Sequence, residues 1–435
     1  MSWKEYYQDR TISAEEAVRK IPNNSRIALA HAVGEPGYLV DTMVANAEQY
    51  ENVEICHMVS LGKAEYCSEG MEKHFRHNSL FVSGQTRDAV ASGRADFTPC
   101  FFYKAPELFE KYKPLDAALV MVTPPDENGR VSLGVSCDYT LPAVKNAKLV
   151  IAQVNSEMPW VEGETVIPVE DIDFFVEHDA PLPELKPAKL GEVEKAIGKN
   201  CAELIHDGDT LQLGIGAIPD AVLAELKGKK DLGIHSEMFS DGVVDLVEAG
   251  VINNSRKSLK RGKMVVTFLM GTKRLYDFAN HNPDVYMAPV DYVNNPVIVA
   301  QNDNIVCINS CVQVDMMGQV CSEAVGPKQI SAVGGQVDFV RGASMAKNGI
   351  SIMAMGSTAA HGKISKIVPN LDPGAPVTTS RYDVDYIVTE YGIARLRGKT
   401  LKERAEALIK ITHPDFRQTL IDEYEKRFNT TYKEA

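Results

Sequence analysis

The residues best suited to chemistry are a glutamate, Glu237, and a glycine-rich turn that precedes it in the segment GIGAIPDAV. The segment at 210–213 is typical of a strand, and we expect a helix over 219–226, so the turn at 214–218 would present free backbone N–H groups. Such groups can hold an oxyanion or a phosphate. We expect a second apolar strand to end at Glu237, and in a parallel sheet both features then emerge at the carboxyl edge. A carboxylate beside an oxyanion site indicates acyl chemistry.

A weak internal duplication predicts the elements that position these residues. Residues 26–30 and the following Gly-Glu-Pro resemble residues 210–213 and the following Gly-Ala-Ile-Pro. Residues 81–87 resemble residues 267–273 in the same order. Each half is expected to contain a strand, a glycine or proline turn, a helix and a further strand. We therefore predict an α/β fold of two similar doubly wound domains with mainly parallel sheets.

The length of 435 residues exceeds that of a usual single core and favours two domains. A proline-rich stretch at 180–187 lacks helical or strand periodicity, so we place the boundary there, with domains at 1–187 and 188–435. Continuous apolar runs predict parallel strands that are buried on both faces; these runs lie at 117–122, 149–152 and 264–266. The expected active site is a crevice between the carboxyl edges of the two domains.

Composition excludes several classes of function. The hydrophobic share of 44% and charged share of 24% are those of an ordinary globular protein. The net charge of −13 opposes broad attraction to nucleic acid or to an anionic membrane. The N-terminus lacks the apolar centre of a signal peptide, and no run approaches the ~18 apolar residues of a membrane span. We expect a cytoplasmic protein that binds neither nucleic acid nor membrane and forms a homo-oligomer, either a dimer or a tetramer.

Cysteine and histidine patterns give no metal prediction. The eight cysteines are scattered without a CxxC pair, which favours buried, reduced thiols over a zinc site or a disulfide framework. His74 and His77 have helical i, i+3 spacing, but no third ligand lies near them in the sequence. We therefore predict no bound metal.

Several long segments, in order along the chain, resemble the coenzyme A transferases of the acetyl-CoA hydrolase/transferase family, among which the 4-hydroxybutyrate enzymes are the most similar. The matching segments are HAVGEP at 31–36, GIGAIPDAV at 214–222, GIHSEMFSDGVVDL at 233–246, TFLMGTKRLYDFA at 267–279, VGGQVDFVRGAS at 333–344 and VTEYGIA at 388–394. The resemblance implies transfer of CoA between a short acyl-CoA, such as acetyl-CoA or butyryl-CoA, and a carboxylic acid such as 4-hydroxybutyrate. It implies Glu237 as the nucleophile, a glutamyl-CoA thioester intermediate, CoA and acyl-CoA as substrates, and no permanently bound cofactor. The stretch at 353–363 departs from the family's pattern in length and composition.

The remaining site residues are predicted partly from the residues and partly from this resemblance. The turn Gly214, Ile215, Gly216, Ala217 and Ile218 supplies backbone donors, and the resemblance adds Asn294 and Gly335 as oxyanion or CoA contacts and Val312 as a lining residue of the CoA channel. Basic candidates for contacts with CoA are Lys363, Lys273, Arg274 and Arg341. His31 occupies the first domain's counterpart of the glycine turn, where it could meet the carboxylate or hydroxyl of the acid. The alternatives are a simple Asn-Pro turn, a glycine needed only for its backbone angles, and a buried histidine with satisfied ring nitrogens.

Three other functions remain open from the sequence. A nicotinamide-dependent dehydrogenase would use a Gly-x-Gly turn and an acidic residue about twenty positions later, but Pro219 stands where its third glycine is needed. A non-catalytic sensor would bind acyl-CoA without a covalent intermediate. A thioester hydrolase would differ only in admitting water to the intermediate. Butyrate and 4-hydroxybutyrate differ by one hydroxyl group, which an apolar pocket distinguishes poorly.

Overall fold

The computed structural model describes residues 2–433, which belong to two compact units. The first unit contains the residues up to Lys186 together with Lys263–Asn294. The second contains Pro187–Gly262 together with the residues from Asn295 onward. Each unit is built on its own mainly parallel sheet with helices in the connections, which confirms the predicted fold class.

The first unit has a seven-stranded sheet in which every neighbouring pair is parallel. Across the sheet the strands are Asp96–Phe97, Phe75–Ser79, Val53–His57, Arg26–Leu29, Ala117–Val122, Val150–Val154 and Phe174–Glu177. All six side chains of Ala117–Val122 are buried, as its continuous apolar sequence predicts. The strand order reverses between Arg26–Leu29 and Ala117–Val122, and we call the carboxyl ends of these two strands the first switch point.

Helices and short strand pairs complete the first unit. Its α-helices are Trp3–Arg10, Ala14–Val18, Gly37–Ala45, Arg87–Ala91, Ala105–Glu107, Thr140–Asn146, Lys273–Ala279 and Val290–Val293. Single-turn 3₁₀ helices are Ala32–Gly34, Ala47–Gln49, Glu65–Cys67, Phe102–Lys104 and Val169–Asp171, and Leu108–Tyr112 forms a π turn. Strands Arg130–Ser132 and Val166–Pro168 pair antiparallel, and Met264–Val266 and Val285–Met287 pair parallel.

The chain passes from the first unit to the second at Lys186–Pro187 and later returns for Lys263–Asn294. Phe268 forms a β-bridge with Ser136, and Met287 forms one with Gly163, so the returning segment is hydrogen-bonded to first-unit loops. A single boundary at 187 does not represent this return. Strand Met264–Val266 is buried and pairs parallel, as its apolar run predicts, but it lies in a two-stranded sheet and not in either large sheet.

The second unit has a six-stranded sheet that is parallel except for its last pair. Across it the strands are Gly233–Ile234, Thr210–Leu213, Ile305–Ser310, Ile350–Ala354, Tyr386–Thr389 and Gly392–Arg395. The order reverses between Thr210–Leu213 and Ile305–Ser310, and the carboxyl ends of these strands are the second switch point.

Seven α-helices lie in the described part of the second unit. They are Glu192–Glu203, Ala217–Glu225, Asp241–Glu248, Pro296–Val299, Gln336–Met345, Leu401–Lys410 and Pro414–Phe428, with a 3₁₀ turn at Leu226–Gly228. Short strands are Gln313–Asp315, Val320–Cys321, Ala324–Val325, Lys328–Gln329, Thr358–Ala359, Ile364–Ser365 and Ile367–Val368. Thr400 and Glu403 form a capping box, as Ser13 and Glu16 do in the first unit.

One predicted helix boundary was wrong, and the spacing of two histidines is not helical in the structure. The helix after the glycine turn begins at Ala217 rather than Pro219, because proline is tolerated throughout the first turn, where backbone N–H groups have no helical acceptor. His77 lies in strand Phe75–Ser79, so His74 and His77 do not share a helix.

Three further observations concern the thiols, metals and membranes. All eight cysteines are free, and only Cys100 is not buried. Within residues 2–433, no group of three or more His, Cys, Asp or Glu side chains is arranged to hold a metal ion. No helix in this part of the chain is long and apolar enough to span a bilayer.

Candidate active site

Glu237 lies beside the carboxyl end of strand Thr210–Leu213 in the second unit. The neighbouring strand ends at Ile234, three residues earlier than expected, but its pairing continues. The His235 N–H donates to Leu211 O at 3.1 Å, and Met238 forms an antiparallel bridge with Leu213. Glu237 is therefore held between two backbone contacts to the adjacent strand, and its side chain is partly exposed.

The two residues that precede Glu237 are held in place by burial and hydrogen bonds. His235 and Ser236 are 0% and 1% exposed. The Ser236 hydroxyl donates to Leu213 O at 3.0 Å and accepts from Leu213 N–H at 3.3 Å. Because both polar groups of Leu213 are engaged by one side chain, the peptide that carries Glu237 has little freedom to move along the sheet.

A buried lysine supports the strand that leads to Glu237. Lys257 is 1% exposed and donates from Nζ to Ile234 O at 2.6 Å. Burial lowers its pKa to about 7. Its aliphatic stem crosses Gly233, where an added Cβ would lie 2.5 Å from Lys257 Cγ. Gly233 is thus required for a close approach, and the lysine joins the loop at 254–257 to the strand that leads to Glu237.

The glycine turn lies directly next to Glu237 and has an open approach. Gly216 has φ +111° and ψ −174°, a conformation that is essentially restricted to glycine, and it caps the helix that begins at Ala217. A Cβ added at Gly214 or Gly216 would meet nothing within 4 Å. The absent side chains therefore leave space in front of the turn.

Backbone donors are available at this turn. The first helical N–H with a backbone acceptor is that of Asp220, which donates to Gly216 O at 3.0 Å. The N–H groups of Ala217 and Ile218 belong to the first turn and have no intrahelical acceptor. They also stand at the positive end of the helix dipole, so the predicted anion-binding character of the turn has a physical basis.

Val312 follows the next strand at the same edge. Strand Ile305–Ser310 pairs with Thr210–Leu213, with Ile308 opposite Leu213, and ends two residues before Val312. The Val312 N–H donates to Cys321 O at 2.9 Å, and the side chain is partly buried. Glu237, the glycine turn and Val312 consequently follow three adjacent parallel strands at the carboxyl edge of the sheet. Neighbouring strands in a sheet lie about 4.8 Å apart.

An amide pair that the sequence analysis missed joins the two strands of the second switch point. Asn309 Nδ2 donates to Gln212 Oε1 at 3.0 Å, and Gln212 Nε2 donates to Asn309 Oδ1 at 3.4 Å. The signal was an amide side chain within each of two largely apolar strands, TLQL and IVCINS. The reciprocal hydrogen bonds fix the register of strands Thr210–Leu213 and Ile305–Ser310 just before the chain enters the glycine turn and reaches Val312.

Gly335 caps helix Gln336–Met345, which lies in the crossover between parallel strands Ile305–Ser310 and Ile350–Ala354 and packs against both. In a right-handed crossover such a helix begins at the carboxyl edge of the sheet. Gly335 has φ −89°, whereas Gly334 has φ +53°. The alternative that a glycine is needed here for its backbone angles therefore applies to Gly334, not to Gly335.

Lys363 lies on an exposed hairpin formed by Thr358–Ala359 and Ile364–Ser365. Its N–H donates to Ala359 O at 3.1 Å. The base of the hairpin is held at Ser357, whose N–H and hydroxyl donate to the Glu390 carboxylate at 2.8 and 2.5 Å. The stretch at 353–363 thus runs from the carboxyl end of strand Ile350–Ala354 into this hairpin, which carries Lys363 into solvent. Of the other basic candidates, Lys273 pairs with Asp277 at 2.6 Å and Arg341 with Asp383 at 3.4 Å.

His31 follows strand Arg26–Leu29 at the first switch point. It is 2% exposed, and Nδ1 lies 3.0 Å from Asp138 Oδ2. Among the described residues, no group forms a hydrogen bond with Nε2. The alternative of a fully satisfied buried histidine is therefore wrong for one of the two ring nitrogens.

Asn294 is buried at the end of helix Val290–Val293 in the first unit, and its N–H donates to Val290 O at 2.9 Å. The Asn-Pro turn signal belongs to its neighbour Asn295, whose side chain accepts from Val297 N–H at 3.0 Å. The alternative of a simple Asn-Pro turn therefore concerns Asn295 and not Asn294.

Comparison with known proteins decides the family. The family's N-terminal domain, described as "Acetyl-CoA hydrolase/transferase N-terminal domain", matches residues 1–185, and the corresponding C-terminal domain matches residues 271–424. The chain belongs to the acetyl-CoA hydrolase/transferase family. This confirms the predicted resemblance.

Individual relatives match nearly the whole chain. The 4-hydroxybutyrate coenzyme A transferase of Clostridium kluyveri is 63% identical over 98% of this chain and 100% of its own. The succinyl-CoA:cyclohexane-1-carboxylate CoA transferase of Geobacter metallireducens is 44% identical over 97% of this chain and 96% of its own. A crystal structure of 4-hydroxybutyrate CoA-transferase from Porphyromonas gingivalis superimposes with a TM-score of 0.86 at 44% identity, covering 98% of this chain and 100% of that one. The chain is therefore an enzyme of the CoA-transferase type.

Proposed function

We propose that the enzyme transfers CoA between a short acyl-CoA and a carboxylic acid such as 4-hydroxybutyrate, through a glutamyl-CoA thioester on Glu237. The observation that carries this proposal is the pairing of Met238 with Leu213, which holds Glu237 beside the glycine turn. A carboxylate nucleophile and preorganised N–H donors at one sheet edge are the two groups that acyl transfer between acids requires.

The reaction proceeds by two exchanges on the same carboxylate. A Glu237 oxygen attacks the thioester carbonyl, the carbon–sulfur bond breaks, and a mixed anhydride and CoA thiolate form. The thiolate then attacks the glutamyl carbonyl, so that the first acid leaves as a carboxylate and CoA is bound to Glu237. The second acid reverses both steps. Thioesters and carboxylates balance on the two sides, so the reaction has little driving force in either direction.

Each tetrahedral intermediate carries an oxyanion. The N–H groups of Ala217 and Ile218 are suitable donors, and one such donor is typically worth ~3–4 kcal/mol of transition-state stabilisation. In this proposal Asn294 adds a side-chain donor and His31 contacts the acid. Further contacts with CoA come from Gly214, Ile215, Gly216, Val312, Gly335 and Lys363.

The choice of acid rests on similarity. The 63% identical relative and the 44% identical structure are named for 4-hydroxybutyrate, which favours this acid here. Another relative at 44% identity is named for cyclohexane-1-carboxylate, so the acid changes within the family at that level of identity. Kinetics with acetyl-CoA and a panel of acids will rank 4-hydroxybutyrate above butyrate if the assignment is right.

Trapping of the intermediate tests the mechanism. Incubation with acyl-CoA and no acceptor should leave CoA on the peptide that contains Glu237, as read by peptide mass spectrometry. Glu237→Gln should bind acyl-CoA without trapping CoA, because the amide lacks the nucleophilic oxygen. Glu237→Asp should lose transfer more than hydrolysis, because the carboxylate is withdrawn by about one methylene length.

A matched control is Glu225→Gln, which changes an exposed glutamate at the end of helix Ala217–Glu225. This variant should trap CoA as the wild type does. A CoA adduct on another residue, or a fully active Glu237→Gln variant, would refute the assignment. Release of free CoA with water as the sole acceptor, at the rate of transfer, would identify a hydrolase instead.

A further inference from the structure

The first switch point contains a hydrogen-bonded chain of buried polar side chains that ends at His31. Thr140, Ser136 and Asp138 are 1%, 1% and 0% exposed. Ser136 Oγ lies 3.0 Å from Thr140 Oγ1 and donates to Asp138 Oδ2 at 3.1 Å. The same Oδ2 lies 3.0 Å from His31 Nδ1. A chain of this kind in a dry environment is costly unless every member has a defined donor or acceptor role.

The roles follow from the carboxylate. Asp138 Oδ1 accepts from Tyr139 N–H at 2.6 Å, and Oδ2 accepts from Ser136. A carboxylate only accepts hydrogen bonds, so His31 must carry a hydrogen on Nδ1. In the neutral ring, Nε2 is then a bare acceptor.

The surroundings of Nε2 indicate that this acceptor serves a ligand. The ring is enclosed by Phe102, Tyr139 and Phe268, with centroids 5.9, 5.7 and 4.6 Å away. Nε2 is buried, and no side chain or backbone group of residues 2–433 is bonded to it. The next residue, Ala32, has φ +52°, a conformation that is unfavourable for alanine. A strained backbone that presents an unsatisfied polar atom is typical of a functional position.

We propose that Asp138 is a positioning residue that keeps the hydrogen of His31 on Nδ1, so that Nε2 accepts a hydrogen bond from a hydroxyl group on the acyl chain of the substrate. This inference rests on the proposed function. It explains how the enzyme would distinguish a hydroxylated acid from its unsubstituted analogue, because a site that pairs with a hydroxyl leaves a buried acceptor unpaired when the hydroxyl is absent.

Asp138→Asn inverts the proposed hydrogen-bond direction without changing the shape of the side chain. Tyr139 N–H still requires an acceptor, so the amide oxygen takes the place of Oδ1 and the NH₂ group faces His31 and Ser136. Nδ1 must then accept, and the hydrogen moves to Nε2. Nε2 can no longer accept from a hydroxyl. Ser136→Ala is the control, since it removes another bond to Oδ2 and leaves the His31 contact in place.

Two measurements test the inference. Nitrogen NMR of enzyme with ¹⁵N-labelled histidine, recorded at alkaline pH and assigned with His31→Asn, reads the tautomer. Steady-state kinetics with acetyl-CoA compares 4-hydroxybutyrate with butyrate by the ratio of their kcat/KM values. We expect Nδ1–H in the wild type and in Ser136→Ala, Nε2–H in Asp138→Asn, and a loss of preference for 4-hydroxybutyrate of roughly tenfold in Asp138→Asn alone.

An unchanged tautomer in Asp138→Asn, or equal losses for both acids despite a changed tautomer, would overturn the inference. If Asp138→Asn does not fold, a hydrogen on Nε2 in the wild type or an unaltered preference in His31→Asn overturns it equally. Failure of the proposed function is distinct, because it appears as a wild-type enzyme that transfers CoA to neither acid.

Discussion

Replacement of Gly216 by alanine separates the structural and chemical contributions of the glycine turn. Gly216 has φ +111° and ψ −174°, and an added Cβ meets nothing within 4 Å. The substitution therefore causes no steric clash in the folded state. Its cost is backbone strain alone, which for a residue in this region is ~1–3 kcal/mol.

We expect Gly216→Ala to lose a modest amount of stability through this strain. We expect a large loss of activity if the backbone of the turn shifts. For a domain of roughly two hundred residues, each kcal/mol lowers the melting temperature by ~2–4 °C. If the chain instead relaxes to relieve the strain, the N–H groups of Ala217 and Ile218 turn away from the reacting carbonyl. Loss of one such donor typically lowers kcat by ~10²–10³-fold. Gly216→Val should lower activity further, because its two methyl groups occupy space needed by the thioester.

Gly214→Ala is the matched control for stability. Its Cβ also meets nothing within 4 Å, and Gly214 is not among the glycines with positive φ. Alanine there should leave the melting temperature unchanged or raise it slightly, since it reduces the freedom of the unfolded chain. Differential scanning calorimetry and initial rates on the three proteins check the reasoning. A Gly216→Ala enzyme with the melting temperature of Gly214→Ala and near-normal turnover would show that the turn is neither strained nor part of the oxyanion site.

Two further predictions concern kinetics and acid stability. Double-reciprocal plots against acyl-CoA at several acid concentrations should be parallel, because one acid leaves before the other binds, and intersecting lines would indicate a ternary complex. Burial lowers the pKa values of His57 and His77 to about 3, below the unfolded value of about 6.5. The contribution of these two histidines to the free energy of unfolding is therefore complete above about pH 6.5. It is lost as the pH falls, by ~2 kcal/mol for each histidine at pH 5. His77→Asn should accordingly show a smaller drop in unfolding free energy between pH 7 and pH 5 than the wild type, and an equal drop would contradict the assignment.

The strands were predictable because their local patterns are strong, whereas the path of the chain between units was not. Residues 117–122 and 149–152 are continuous apolar runs, which predict strands buried on both faces, and the structure has strands at Ala117–Val122 and Val150–Val154. Met264–Val266 has the same pattern but lies in a two-stranded sheet of the first unit. An apolar run indicates that a strand is buried. It does not indicate which strand lies next to it in the sheet, because strand pairing is decided by tertiary contacts.

The sequence indicated parts of the candidate site where the chemistry of a residue is visible locally. Glu237 and the glycine turn are distinctive in sequence, and the structure places them after two adjacent strands. Asp138 was missed because it lies 107 positions from His31, and only the folded chain brings the two within 3.0 Å. The Gln212 and Asn309 pair was missed for the same reason.

The loops at the two switch points differ in length and in the groups that they present. In the second unit the helix begins at Ala217, four residues after the strand ends at Leu213, so the loop presents backbone N–H groups and has an open approach. In the first unit the chain inserts the 3₁₀ turn Ala32–Gly34 before its helix, and this longer loop presents the side chain of His31. Gly34 permits the insertion because a Cβ there would lie 2.6 Å from Ser136 Cβ, and this close approach places the segment that carries Asp138 against the loop. Under the proposed function, the short loop supplies backbone donors for an anionic transition state, and the longer loop supplies a side chain that contacts the substrate.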